Sequence, residues 1–161
     1  MLPIPADRIR DSFINATLRE RKSITPPAPD EHEWQHLDYL GWRDPKQPQL
    51  GYIVVQVDGE PVGVILRQAE RSPRSRAQCS WCEDVQLPND VVFFSAKRAG
   101  DAGRRGDTLG TLVCSNFECS VNVRRRAPMA YVGFDVEAAR AQRIAALREN
   151  VRAFVTRVAA G

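Results

Sequence analysis

The four cysteines fall into two pairs, Cys79-Ser80-Trp81-Cys82 and Cys114-Ser115-Asn116-Phe117-Glu118-Cys119, and they constrain the fold more than any other feature. The pairs enclose two and four residues and flank a stretch that reads as a β-hairpin. That spacing suits four-coordinate zinc: a tight turn sets two thiolates on one side of the ion, and a helix start closes the tetrahedron from the other. No cysteine is left over, so one structural four-thiolate Zn2+ site accounts for the whole complement. Such a site leaves no open position for substrate or catalytic water. The competing account is two disulfides, or four unligated thiols. Disulfides belong to exported proteins, and Met1-Leu2-Pro3-Ile4-Pro5 runs at once into Asp7, Arg8 and Arg10 with no signal-peptide run. A cytoplasmic location is expected. No segment approaches the roughly 20 apolar residues of a membrane span, so no membrane partner is expected.

A chain of 161 residues, 43 % apolar and 27 % charged, can bury a core of its own, which makes zinc a local organiser here. The expectation is a single α+β domain over residues 1–161. The net charge is only +3, but from Arg67 to Arg126 eleven Lys or Arg stand against seven acids. A basic excess on the cysteine region favours an acidic or phosphate-bearing partner over a merely solvated surface.

Periodicity orders the rest. Ile9, Phe13 and Ala16 predict a helix over 6–21, ended by Pro26, Pro27 and Pro29. One or two helical turns are expected between Asp30 and Leu40, then a turn at Gly41-Trp42-Arg43-Asp44-Pro45. Residues 51–68 read as a hairpin about Asp58-Gly59, with both strands apolar on nearly every residue, so both faces should be covered. Residues 77–127 hold a knuckle, a strand at Val91–Lys97, a glycine-rich hairpin tip, a return strand at Thr108–Val113, and a short helix that Ser115 or Asn116 could cap. Knuckle, hairpin and helix are the parts of a treble clef. Over 135–159, Ile144, Leu147, Val151, Phe154, Val155 and Val158 form one stripe of a long helix capped by Asp135. The stripe should pack on its own domain, with a second protein as the alternative.

One motif competes for a catalytic role. His32-Glu33-Trp34-Gln35-His36 matches H-E-x-x-H, in which two imidazoles one helical turn apart hold zinc and the glutamate activates water. Its context argues against that chemistry. Prolines precede it, Gly41 follows within a few residues, and the chain has no third histidine. No enzyme activity is expected.

Taken in order, Leu40 to Pro45, Gly51-Tyr52-Ile53-Val54-Val55, Gly63 to Arg67, Cys79-x-x-Cys82, Phe94 to Gly100 and Cys114 through Cys119-Ser120-Val121 to Arg124 resemble the FBP domain. This is the treble-clef zinc-binding domain at the C-terminal end of fusidic-acid-resistance, elongation-factor-G-binding proteins. The similarity runs from residue 7 to about 127. It implies that Cys79, Cys82, Cys114 and Cys119 ligate a structural zinc. It also implies that the finger face grips elongation factor G and helps it leave the ribosome, by binding and not by catalysis. Such proteins carry a further helical domain, for which this chain offers only one helix and a proline-rich loop. The contact residues expected near the zinc are Trp81 on the knuckle, Lys97, Arg98, Arg104 and Arg105 at the hairpin tip, and Arg124, Arg125 and Arg126 after the last cysteine. The same arginines support a second reading, a finger that binds RNA or the ribosome; steep salt dependence would distinguish it.

Overall fold

The computed structural model describes residues 1–28, 33–70, 77–84, 86–125 and 132–161. Five strands, β1 (Leu40–Arg43), β2 (Leu50–Val57), β3 (Glu60–Gln68), β4 (Val91–Lys97) and β5 (Thr108–Cys114), form one antiparallel sheet in sequence order. The β2–β3 turn places Asp58 at φ 52° and Gly59 at φ 87°, the pair of positive values that a type I′ turn requires. β1 forms where a turn was expected. Its four residues pair with Gly51 to Val54, burying Leu40 on the sheet.

Both faces of the β2–β3 hairpin are covered, which is why its strands are apolar at successive positions. Tyr52 and Val54 point to one face, where they meet Ile4, Ile9, Phe13, Ile24 and Trp34 of the N-terminal segment. Ile53, Val55, Val64 and Leu66 point to the other, with Phe94, Val113, the cysteines and the C-terminal helix α5 (Val136–Ala159). Asp135 caps α5 by accepting a hydrogen bond from the Ala138 amide at 2.9 Å. The stripe Leu147, Val151, Phe154, Val155 and Val158 is buried in this core, so the helix packs on its own sheet.

The expected helix over 6–21 is two helices, α1 (Ala6–Asp11) and α2 (Leu18–Ser23). Strands β3 and β4 pair only at Arg67–Ser95 and Gln68–Phe94, and the sheet splits beyond. Residues 12–15 fill the split. Gly63 donates its amide to Ser12 O and accepts from the Ile14 amide, both at 2.9 Å. The Asn15 side chain exchanges two hydrogen bonds with the Ile65 backbone and donates to Lys97 O at 3.0 Å. Backbone groups left unpaired in the split thus outweigh helix continuity. Thr17 and Glu20 restart the helix through a capping box.

Two smaller expectations also change. Between 33 and 40 the helical content is a single 3-10 turn, Trp34–His36. The glycine-rich tip winds into a short helix, α3 (Gly100–Arg104), in which Ala102 is buried.

Candidate metal centre

Each cysteine pair sits on a turn held by a left-handed residue. In the first, Glu83 at φ 55° returns its amide to Cys79 O at 3.0 Å, and the Ser80 amide pins the knuckle to the outer edge of β5 through Leu112 O at 2.8 Å. In the second, Cys114 ends β5 and Phe117 at φ 62° donates its amide to Cys114 O at 3.0 Å. Cys119 is then the first residue of α4 (Cys119–Arg124), so a helix start supplies the fourth thiol. Its N-cap position is Glu118 and not Ser115 or Asn116, with no side-chain cap.

The four sulfurs lie within 4.8 Å of one another and all four residues are buried. Cys79 and Cys119 approach to 3.6 Å, Cys82 and Cys114 to 3.8 Å. A zinc–thiolate distance of about 2.3 Å gives a tetrahedron edge of about 3.8 Å. The two short edges match that value, the set as a whole is compact enough to close on zinc, and the cysteines are free of disulfides. Hydrogen bonds with Cys114 hold the Cys79 and Cys82 thiols below their ordinary range, whereas the contact with Cys114 pushes Cys119 well above it. Four thiolates cannot share so small a buried volume unless a cation offsets them, and a divalent ion does so.

Further groups support the sulfurs. The Trp81 amide and the Asn122 side-chain amide each donate to a thiol sulfur, Cys79 and Cys114 respectively, at 3.4 Å. Asn122 is fully buried and also donates to Asn89 Oδ1 at 3.0 Å. Tyr39, buried beside Cys119, donates its hydroxyl to Phe117 O at 3.2 Å. Its ionisation is pushed well up, first by burial and then by the neighbouring Cys119. Sequence reading missed both residues; the only signal was the three-residue step from Cys119 to Asn122, one helix turn.

Among the described residues, the expected contact residues do not form one exposed group near the thiols. Trp81 is only 2 % exposed, its ring edge-on to Tyr39 at 5.4 Å and near Phe154 at 5.5 Å. The knuckle rests on α5, so its aromatic residue is core and not an exposed anchor. Lys97 pairs with Thr108 at one end of the β4–β5 hairpin while Val91 pairs with Cys114 at the other. Six residues of strand place the tip about 20 Å from the thiols. At that tip Arg104 pairs with Asp101, Arg105 lies 4.0 Å from Asp107, and Arg98 donates to Arg157 O. Arg124 is drawn inward by Asp38, whose buried carboxylate also receives Arg148 at 2.8 Å. Arg125 is exposed after α4, and Arg126 lies outside the described residues. So does His32. His36 is exposed on its 3-10 turn, 3.7 Å from Glu33.

A zinc knuckle, a hairpin and a helix whose first residue is the last ligand define a treble-clef zinc finger, here sharing one sheet with an α+β body. The chain belongs to the FBP C-terminal treble-clef zinc-finger family, whose model matches residues 8–158 and therefore takes in α5 as well. Its structure is similar to that of the fusidic acid resistance protein FusC, at a TM-score of 0.50 and 22 % identity. The likeness covers 65 % of this chain and 47 % of that one, so the chain corresponds to about half of FusC, and at this identity it speaks for the fold. No curated protein matches the chain. Among the described residues, no helix is long and apolar enough to cross a membrane.

Proposed function

We propose that this chain binds elongation factor G in the cytoplasm and promotes its release from the ribosome. Family membership over residues 8–158 is the observation that carries this reading. In it, Cys79, Cys82, Cys114 and Cys119 ligate one structural zinc ion per chain. The ion fixes the second knuckle and α4 against the sheet and takes no part in a reaction, since four buried thiols leave no ligand position open. The protein acts by binding and is not an enzyme. A binder that prefers the released conformation of its partner shifts the equilibrium by that preference alone, and a tenfold difference in affinity corresponds to about 1.4 kcal/mol.

Calorimetry with purified elongation factor G, both proteins nuclease-treated, tests the reading. Saturable binding with a shallow salt dependence is expected. Retention of RNA alone, with affinity falling steeply against log salt, would replace it with a nucleic-acid-binding finger.

A further inference from the structure

Where the N-terminal segment leaves the sheet, a cleft of about 400 Å³ opens between α2 and one face of β2 to β5. Its floor is apolar, made by Ile24, Leu50, Tyr52 and Ile65. Strand register puts Arg67 beside Ser95 and Lys97 beside Thr108, so both cations stand on this same face, at the rim. Neither forms an ion pair among the described residues. The one acid among the described lining residues, Glu20, is held by the Thr17 amide and hydroxyl at 2.7 and 2.8 Å. Hydrogen bonds from Thr17, and more distantly Lys97 and Arg67, keep its carboxyl below the ordinary range. It acts as a helix cap and neutralises only part of the rim.

We propose that this cleft docks an acidic segment of a protein partner, with an apolar side chain seated on the floor and a flanking carboxylate between Arg67 and Lys97. The proposal rests on the protein-binding reading above but assigns the contact to a surface other than the zinc knuckles. Two cations at the rim against one committed acid make the charge complementarity, and they disfavour a basic or neutral occupant. An apolar floor with a few polar groups at the edge has the composition of a binding site. Among the described residues, Trp81 is withdrawn into the core and Arg124 onto Asp38, so neither is a free contact group on the knuckle side.

The test uses the full zinc-loaded chain, elongation factor G, and the double variant Arg67→Glu/Lys97→Glu, with Arg157→Glu on α5 as a charge control. The expected result is at least a tenfold loss of affinity in the double variant, less than twofold in the control, and unchanged melting in both. Wild-type affinity in the double variant would overturn the cleft while leaving the elongation-factor reading intact. If the wild-type chain does not bind the factor, that reading fails, and NMR titration with a short peptide alternating Glu and Leu decides the cleft. Shifts confined to its lining, lost in the double variant, would sustain it; no shifts, or equal shifts with a Lys/Leu peptide, would sink it.

Discussion

The Phe117 ring occupies the space that a side chain on Gly51 would need: a Cβ there would stand 2.5 Å from Phe117 Cζ. A Cβ on Gly41, the neighbouring strand's glycine, would lie 2.6 Å from Phe117 Cβ. The second knuckle is therefore seated ring-down on a bare patch of β1 and β2. Arg43 closes the joint, its guanidinium 4.7 Å from the Phe94 ring centre and its Nε donating to Ser115 O at 2.6 Å. Phe117 accepts a left-handed backbone, uncommon for a bulky residue, because the packing of its ring over-determines it.

Gly51→Ala should consequently lift the knuckle from the sheet and cost about 1–3 kcal/mol, the usual range for overpacking. Chemical denaturation of the zinc-loaded protein measures it. The loss should shrink in the double variant Gly51→Ala/Phe117→Leu, because the smaller side chain vacates the contested volume. Additive effects would mean that the two residues do not compete.

Asp44 gives a pH dependence of known sign. Burial works against its carboxylate, but hydrogen bonds from the Tyr52 hydroxyl at 2.7 Å and from the Lys46 and Gln47 amides outweigh that and hold its pKa below the ordinary 3.8. Tyr52 is pushed up correspondingly, by burial and by Asp44. A carboxyl with a depressed folded-state pKa contributes stability that is full above its unfolded value and is lost as pH falls through the folded one. Asp44→Asn should lower stability at pH 7 by about 1–3 kcal/mol. It should also flatten the stability profile below about pH 4, where the wild type falls. An unaltered slope in acid titrations of stability would assign that limb to other groups.

The cysteine spacing made the metal centre legible before any coordinates, because two short loops and a helix start leave few ways to arrange four thiols. The β2–β3 hairpin and α5 were legible for similar local reasons, a turn dipeptide between apolar runs and a long stripe behind an Asp cap. What escaped depended on partners distant in sequence. Residues 12–15 look helical until the split between β3 and β4, fifty and more residues away, offers unpaired backbone groups. Trp81 looks like an exposed knuckle aromatic until α5 returns to cover it. Arg124 looks free until Asp38, 86 residues earlier, claims it.

That ion pair carries its own expectation. The Asp38 side chain is fully buried and joins Arg124 of α4 to Arg148 of α5, although Arg148 remains 61 % exposed. Removing a buried partner costs several kcal/mol when both groups are desolvated; with Arg148 half in water, Asp38→Ala should cost roughly 2 kcal/mol. High salt should change the wild-type stability little, since the carboxylate is shielded. A loss below about 0.5 kcal/mol would place this contact with ordinary surface pairs.

Asn122 should matter to metal retention more than its distance from the ion suggests. Its Nδ2 donates to Cys114 Sγ, while its Oδ1 is buried without a hydrogen-bond partner among the described residues. An amide kept where half of it goes unpaired points to the value of the other half. Groups that hydrogen-bond metal ligands typically contribute 10–100-fold in affinity. Asn122→Leu, which preserves volume and removes the orphan acceptor, should weaken zinc by about tenfold in chelator competition. Asn122→Asp should weaken it further by placing a second anion beside the thiolate. Equal zinc affinity in Asn122→Leu would reduce the contact to packing.

Zinc removal should unfold part of the molecule and leave the rest. The cysteines lie in the same core cluster as Phe94, Val113 and the α5 stripe, so their mutual repulsion without a cation acts directly on the packing of α4 and α5. The other face of the sheet has its own cluster around Phe13, Tyr52 and Val54, with no residue of the metal site in it. Metal affinity at such a site is folding free energy. Cys114→Ser, or a strong chelator, should therefore abolish stoichiometric zinc and strip amide-exchange protection from β5 and α4 first. Protection in β2 and in the residue 12–15 wedge should outlast it. Uniform loss across both clusters would show that the sheet folds as a single cooperative unit, and full retention of protection would show that the four thiols do not need an ion to pack.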